Sequence, residues 1–149
     1  MKLLPILALL LSALPTFARL GETKAECEKR YGKPALTLDT GEDVFEKDGI
    51  QITVTYLKGK AASIGFTKLN RDLELTDAER KTLLKANAGN SEWEPTPLDG
   101  NDTLRWERAD KQAIAIYILT SKDLVINTAD FAKHLREARE KETPKLDGF

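Results

Sequence analysis

Hydrophobic positions along the chain follow two alternating spacings. Thr23-Lys24-Ala25-Glu26 has the form of a capping box, in which the threonine hydroxyl and the glutamate carboxylate each satisfy a free backbone N–H at a helix start. Gly32 and Pro34 end that helix, so the pattern places it over residues 24–31. A period of two then takes over. Residues 44–47 and 50–57 flank Asp48-Gly49, a dipeptide suited to a two-residue hairpin turn, and Lys58-Gly59-Lys60 turns the chain into a third strand over 61–67. Ile50, Ile52, Val54 and Tyr56 alternate with Gln51, Thr53 and Thr55, the signature of a sheet with one buried and one wetter face. Ala62, Ile64 and Phe66 continue it.

The same order then recurs. Thr76-Asp77-Ala78-Glu79 is a second capping box, opening a helix that runs to about Ala88 before Gly89. Strands over 104–108, 112–119 and 122–127 parallel the first set, and Phe45-Glu46-Lys47 against Trp106-Glu107-Arg108 is the best local match. This predicts a repeated helix-plus-three-strand unit, residues 20–69 and 75–127. Residues 113–119 are apolar on both alternations, which predicts a strand covered on both faces. A third helix over 128–142 carries the stripe Phe131, Leu135, Ala138 against a charged side, and Pro144 stops it. The expected class is α+β: helices packed on an antiparallel sheet, as one domain over 19–149 with a C-terminal helix.

Residues 1–18 do not belong to this pattern. Lys2, a leucine-rich run and the exit Pro15-Thr16-Phe17-Ala18 read as a secretory signal peptide cut after Ala18, too short and proline-broken for a membrane span. The expectation is an exported protein, periplasmic or secreted, with no transmembrane segment in its mature chain. No cysteine stands at the cleavage point to take a lipid, and Cys27, alone in the chain, has no disulfide partner.

Charge and composition remove whole classes. Lys plus Arg is 23 against 24 Asp plus Glu, a net charge of -1, so the chain lacks the cationic excess that phosphate-backbone binding needs, and a nucleic-acid partner is not expected. One His, one Cys and one Met leave little for zinc, copper, haem or iron–sulfur ligation, and no cofactor is expected.

The run Gly21-Glu22-Thr23-Lys24-Ala25-Glu26-Cys27, followed by Tyr31-Gly32-Lys33-Pro34, resembles the Gly-x-Thr-x-x-Glu…Gly-x-Pro opening of small envelope domains related to the outer-membrane assembly lipoprotein (SmpA/OmlA-type) and to β-lactamase inhibitor protein. The resemblance implies helices layered on an antiparallel sheet and an activity of binding another protein.

Candidate chemistry is sparse. Cys27 falls on the stripe of the first helix that faces the sheet, where a thiol acts as a small hydrophobe; catalysis would need access and a lowered pKa. His134 borders the third helix's stripe beside Lys133 and Arg136, with no nucleophile near in sequence. The acidic turns over 39–43 and 99–102 carry oxygen ligands without the spacing of a calcium loop and read as solvated turns, and Asn101-Asp102-Thr103 fits the N-glycosylation pattern. More informative is the 89–101 connection, which has no periodicity and holds Trp93, Pro95 and Pro97. Trp93 is either an interaction hot spot or a lid folded over the second helix. The polar sheet face of Gln51, Thr53, Thr55, Ser63 and Thr67, extended by Arg105, Glu107 and Arg108, is the second candidate surface.

The expected function is a non-catalytic exported protein that binds another protein or an envelope component through that face (Gln51, Thr53, Thr55, Arg105, Glu107) or through Trp93. The alternatives are a small hydrolase using carboxylates such as Asp99, Asp102 or Glu107, and a structural homo-oligomer, a homodimer at its simplest, joined through a strand edge.

Overall fold

The computed structural model describes residues 19–97 and 102–142. The expected leader over 1–18, Asp99, Asn101 and the expected stop at Pro144 lie outside them.

Among the described residues, three helices and eight strands follow one another as α1 (Lys24–Tyr31), β1 (Leu36–Thr37), β2 (Asp43–Lys47), β3 (Ile50–Leu57), β4 (Lys60–Lys68), α2 (Asp77–Ala86), β5 (Trp93–Thr96), β6 (Thr103–Arg108), β7 (Ala113–Ile118), β8 (Asp123–Thr128) and α3 (Ala129–Glu142). All eight strands form one antiparallel sheet in the order β1-β2-β3-β4-β8-β7-β6-β5. The fold is α+β. Both capping boxes are formed: Thr23 accepts from the Glu26 N–H, Thr76 from the Glu79 N–H, and each glutamate reaches back to its cap.

Each unit is a helix followed by a four-stranded meander, one strand more than the hydrophobic pattern indicates. The added strands are β1, only two residues long, and β5, which lies inside the expected 89–101 loop. Both are too short to carry a readable period-two run, and β5 holds Pro95, a residue that argues against a strand. The two meanders meet at β4 and β8, where Ile64 pairs with Ile126 and Phe66 with Leu124.

Tight turns hold the register of the first meander. Asp48 and Gly49 have φ of 51° and 75°, and Lys58 and Gly59 of 53° and 74°, the paired positive values of a two-residue hairpin.

Helices α1 and α2 cover one face of the sheet. That face carries Phe45, Ile52, Val54, Ile64, Phe66, Ala115, Tyr117, Leu124 and Ile126, which form a single core with Cys27, Leu75, Leu83 and Leu84. Before α1 the chain pairs with the start of β4, through Gly21 N–H to the Ala61 carbonyl and Ala61 N–H to the Glu22 carbonyl, both under 3 Å. It thereby extends the sheet beyond the stretch that β8 covers.

The opposite face is largely open. The expectation that residues 113–119 are covered twice is corrected: Ala113, Ala115 and Tyr117 are buried, whereas Ile114, Ile116 and Ile118 are half-exposed. Helix α3 packs against β8 and β4, beside the buried pair Ser63 and Asn127. None of its own side chains is buried, and Leu135 of the expected stripe remains 38% exposed.

Candidate functional site

Strand register sorts the expected site residues. Gln51 pairs with Thr67, Thr55 with Ser63, Arg105 with Ile116 and Glu107 with Ile114. Because paired residues share a face and alternate residues return to it, Gln51, Thr53, Thr55, Arg105 and Glu107 all stand on the open face, opposite α1 and α2. Arg108 is the exception: it pairs with Trp93 across β5 and β6 and belongs to the helix face, one residue out of step with Glu107. The same alternation separates Trp93 from the other candidates.

On the open face the first unit contributes a polar field of Gln51, Thr53, Thr55 and Thr67, all half-exposed. The second contributes an apolar stripe: Ile114, Ile116 and Ile118 along β7, with Val125 paired to Ile116 from β8. Glu107 on the rim is held by Lys111 at 3.2 Å. A flat apolar strip with a polar, charged border is the usual anatomy of a protein-binding surface.

Trp93 is half-buried at the start of β5. Its indole Nε1 donates to the Leu84 carbonyl over 2.7 Å, and its ring packs on the core beside the end of α2. Its outer side lines an open cleft of about 570 Å³, shared with Leu84, Pro95, Trp106 and the lysines Lys81 and Lys85 of α2. A second cleft of about 350 Å³ adjoins it at Lys85 and Gly89 and adds Arg19 and Arg108. The sequence marks Trp106 only as the counterpart of Phe45 in a strand, not as a site residue; its pairing opposite Pro95 brings it here.

The carboxylates do not assemble a hydrolytic pair among the described residues. Asp102 is an exposed residue just before β6, and Glu107 lies on the far face in its pair with Lys111. His134 is exposed on α3. No group of three or more His, Cys, Asp or Glu side chains among the described residues is placed to hold a metal.

Under α1 lies a polar cluster that the sequence does not announce. Asp43 was expected in a solvated turn; it opens β2 and is fully buried. Its Oδ1 accepts from the Thr37 hydroxyl at 2.7 Å and from Lys24 Nζ at 3.0 Å. Burial pushes the Asp43 pKa up, but those two donors and the nearby Tyr56 hydroxyl outweigh it and hold the carboxyl below its ordinary value. Burial likewise raises the Cys27 thiol, more than Tyr56 lowers it, so Cys27 is a protonated core residue. Tyr31 and Tyr56 are raised by the same loss of water. Their hydroxyls close no hydrogen bond among the described residues. Asp43 and Cys27 are fully buried here while Lys24 and Thr37 reach the surface, so the cluster ties α1 to β1 and β2.

No family model matches the sequence, and neither does any curated protein. Among solved structures, a DUF4309 family protein, YjgB, from Bacillus subtilis is 14% identical with a TM-score of 0.41, over 72% of this chain and 78% of that one. A cysteine-rich secretory protein from Staphylococcus aureus is 11% identical with a TM-score of 0.42; the alignment covers 75% of this chain and 45% of that one.

Proposed function

We propose that this is a non-catalytic exported protein that binds another protein through the open face of its sheet. The observation that carries the reading is the unequal covering of the two faces. Two helices and a single core occupy one side, while the other presents Ile114, Ile116, Ile118 and Val125 beside the Gln51, Thr53 and Thr55 field with little but α3 near it. Apolar side chains left contiguous on an open face favour association with a partner that removes them from water. The resemblance of the Gly21 to Pro34 opening to protein-binding envelope domains points the same way, and the leader-like pattern of residues 1–18 supports a partner outside the cytoplasm.

Joining copies through strand edges has less support. β1 offers two residues, and β5 carries Pro95, which has no N–H to give a new strand.

The test is affinity capture from the host's envelope or culture fluid with the wild-type protein, Ile116→Glu, Arg105→Glu and Trp93→Ala, each checked for an intact thermal transition. A partner recovered by wild type and Trp93→Ala but lost with Ile116→Glu and weakened with Arg105→Glu is the expected pattern. Equal recovery by wild type and Ile116→Glu removes the sheet face from the reading.

A further inference from the structure

The cleft between α2 and the β5–β6 edge faces away from the surface just described. Register places Trp93 opposite Arg108 and Pro95 opposite Trp106, so three rings, Trp93, Pro95 and Trp106, lie side by side on the helix face of the sheet edge. Leu84 closes one side, flanked by Lys81 and Lys85, four residues apart on α2. The Trp93 indole N–H is already satisfied by the Leu84 carbonyl, which leaves the ring as an apolar contact surface with no unmet polar demand of its own.

Charge along this cleft is one-sided. Lys85 enters no ion pair among the described residues, whereas Lys81 is shared with Asp77 at 2.6 Å. The adjoining cleft adds Arg19, whose buried Nε has no partner among the described residues, and Arg108, which is shared with Asp110 at 2.8 Å. Glu92 is the one acidic side chain lining either cleft among the described residues. In a chain whose overall charges nearly cancel, that is a local excess of cations around an aromatic floor.

We infer that this cleft binds an acidic peptide segment through an apolar side chain seated on Trp93, Pro95 and Trp106, with a carboxylate against Lys85. A peptide fits better than a small ligand, because both clefts are open along their length, whereas a small ligand needs most of its surface enclosed. The segment does not extend the sheet. Pro95 takes the N–H from the outward edge of β5, so recognition runs through side chains on the helix face.

Both tryptophans of the chain line this cleft, so their emission reports on its occupancy directly. The probes are a doubly capped peptide Glu-Glu-Leu-Pro-Phe-Glu and its counterpart with lysine in place of each glutamate. The acidic peptide is expected to shift tryptophan emission saturably and the basic one not to. Lys85→Glu, an exposed substitution, should weaken the acidic peptide about 5- to 10-fold. Ile116→Glu on the far face should leave the titration unchanged, which separates failure here from failure of the sheet-face reading. No saturable change in emission, equal response to both peptides, or an unaltered titration in Lys85→Glu would each overturn the inference.

Discussion

Phe45, Ile52 and Val54 of the first unit occupy the sheet positions that Trp106, Ala115 and Tyr117 occupy in the second, and Asp43 corresponds to Leu104. Register is shared while volume is redistributed. The second unit puts small residues, Ala113 and Ala115, where the first has Ile50 and Ile52, and large ones on neighbouring positions. Tyr117 is roofed by the Arg80 guanidinium at 4.6 Å from its ring centre. In the first unit α1 reaches the edge of the sheet: Tyr31 packs on Phe45 with 5.3 Å between ring centres, and Lys24 neutralises Asp43. In the second, the edge beyond α2 is left to Trp93, Pro95 and Trp106, and Leu104 is 40% exposed. One unit is closed by a half-exposed lysine on a buried aspartate; the other is open as a cleft. The same meander ends in a closed edge or in an open cleft according to whether its helix covers the outer two strands.

The largest effects are expected from exchanging core volume between equivalent positions of the two units. Ile52→Ala removes a fully buried side chain from the centre of the first unit and should cost about 3–4 kcal/mol in urea unfolding. Ala115→Ile inserts the same volume into a position with no exposed area and should cost about 1–3 kcal/mol by overpacking. Comparable losses at both would show that the units tolerate volume change alike. A stabilising Ala115→Ile would show a void beside Tyr117 and sink the account of compensated packing.

Next in size is the buried pair. Lys24→Met leaves the Asp43 carboxylate with only the Thr37 hydroxyl closing a hydrogen bond to it. Because Lys24 is itself half-exposed, the loss should be about 2 kcal/mol, below the range for fully buried pairs. Adding Asp43→Leu, the residue type of the second unit's Leu104, should recover most of that loss. A double variant no more stable than Lys24→Met would mean that the two side chains act independently.

Protons probe the same pair. The folded pKa of Asp43 lies below its ordinary value of 3.8, so its stabilising contribution is complete above that value and is lost as pH falls through the folded pKa. Midpoints of denaturation should therefore fall less steeply under acid in the double variant than in the wild type. Equal slopes would remove Asp43 from the acid response. The Cys27 thiol, raised by burial, gives the opposite sign: its contribution holds below the unfolded thiol value and is lost as pH rises. Alkylation by iodoacetamide in the folded state should be slower than in denaturant by orders of magnitude.

Local chemistry made most of the fold legible. Capping boxes, a Gly-Lys-Pro stop, an Asp-Gly turn and period-two runs each act over a few residues, and helix and strand positions follow from them closely. Contacts distant in sequence were not legible. β5 is only four residues long and holds Pro95, so its pairing with β6 is what makes it a strand. Asp43 reads as a turn residue until Lys24, 19 positions away, is seen to neutralise it. Of the candidate sites, Gln51, Thr53, Thr55, Arg105 and Glu107 could be grouped because alternation fixes the face within each strand. That Trp93 joins Trp106 on the other side follows only from the pairing of β5 with β6.

The smallest differences test how alike the two helix starts are. Thr23→Ala and Thr76→Ala each delete a formed capping box and should each cost about 1 kcal/mol. The glutamates should part company. Glu26 satisfies only Thr23 and is fully exposed, whereas Glu79 also accepts from Lys68 Nζ at 2.5 Å across to β4. Glu79→Gln weakens the helix cap and its tie to the sheet together, while Glu26→Gln touches the cap alone. Thermal melts should therefore rank Glu79→Gln as the more damaging of the two. The reverse order, or no difference, would mean that Lys68 contributes nothing to holding α2 on the sheet, and that what keeps the second unit's cleft in shape lies in Leu83 and Leu84 instead.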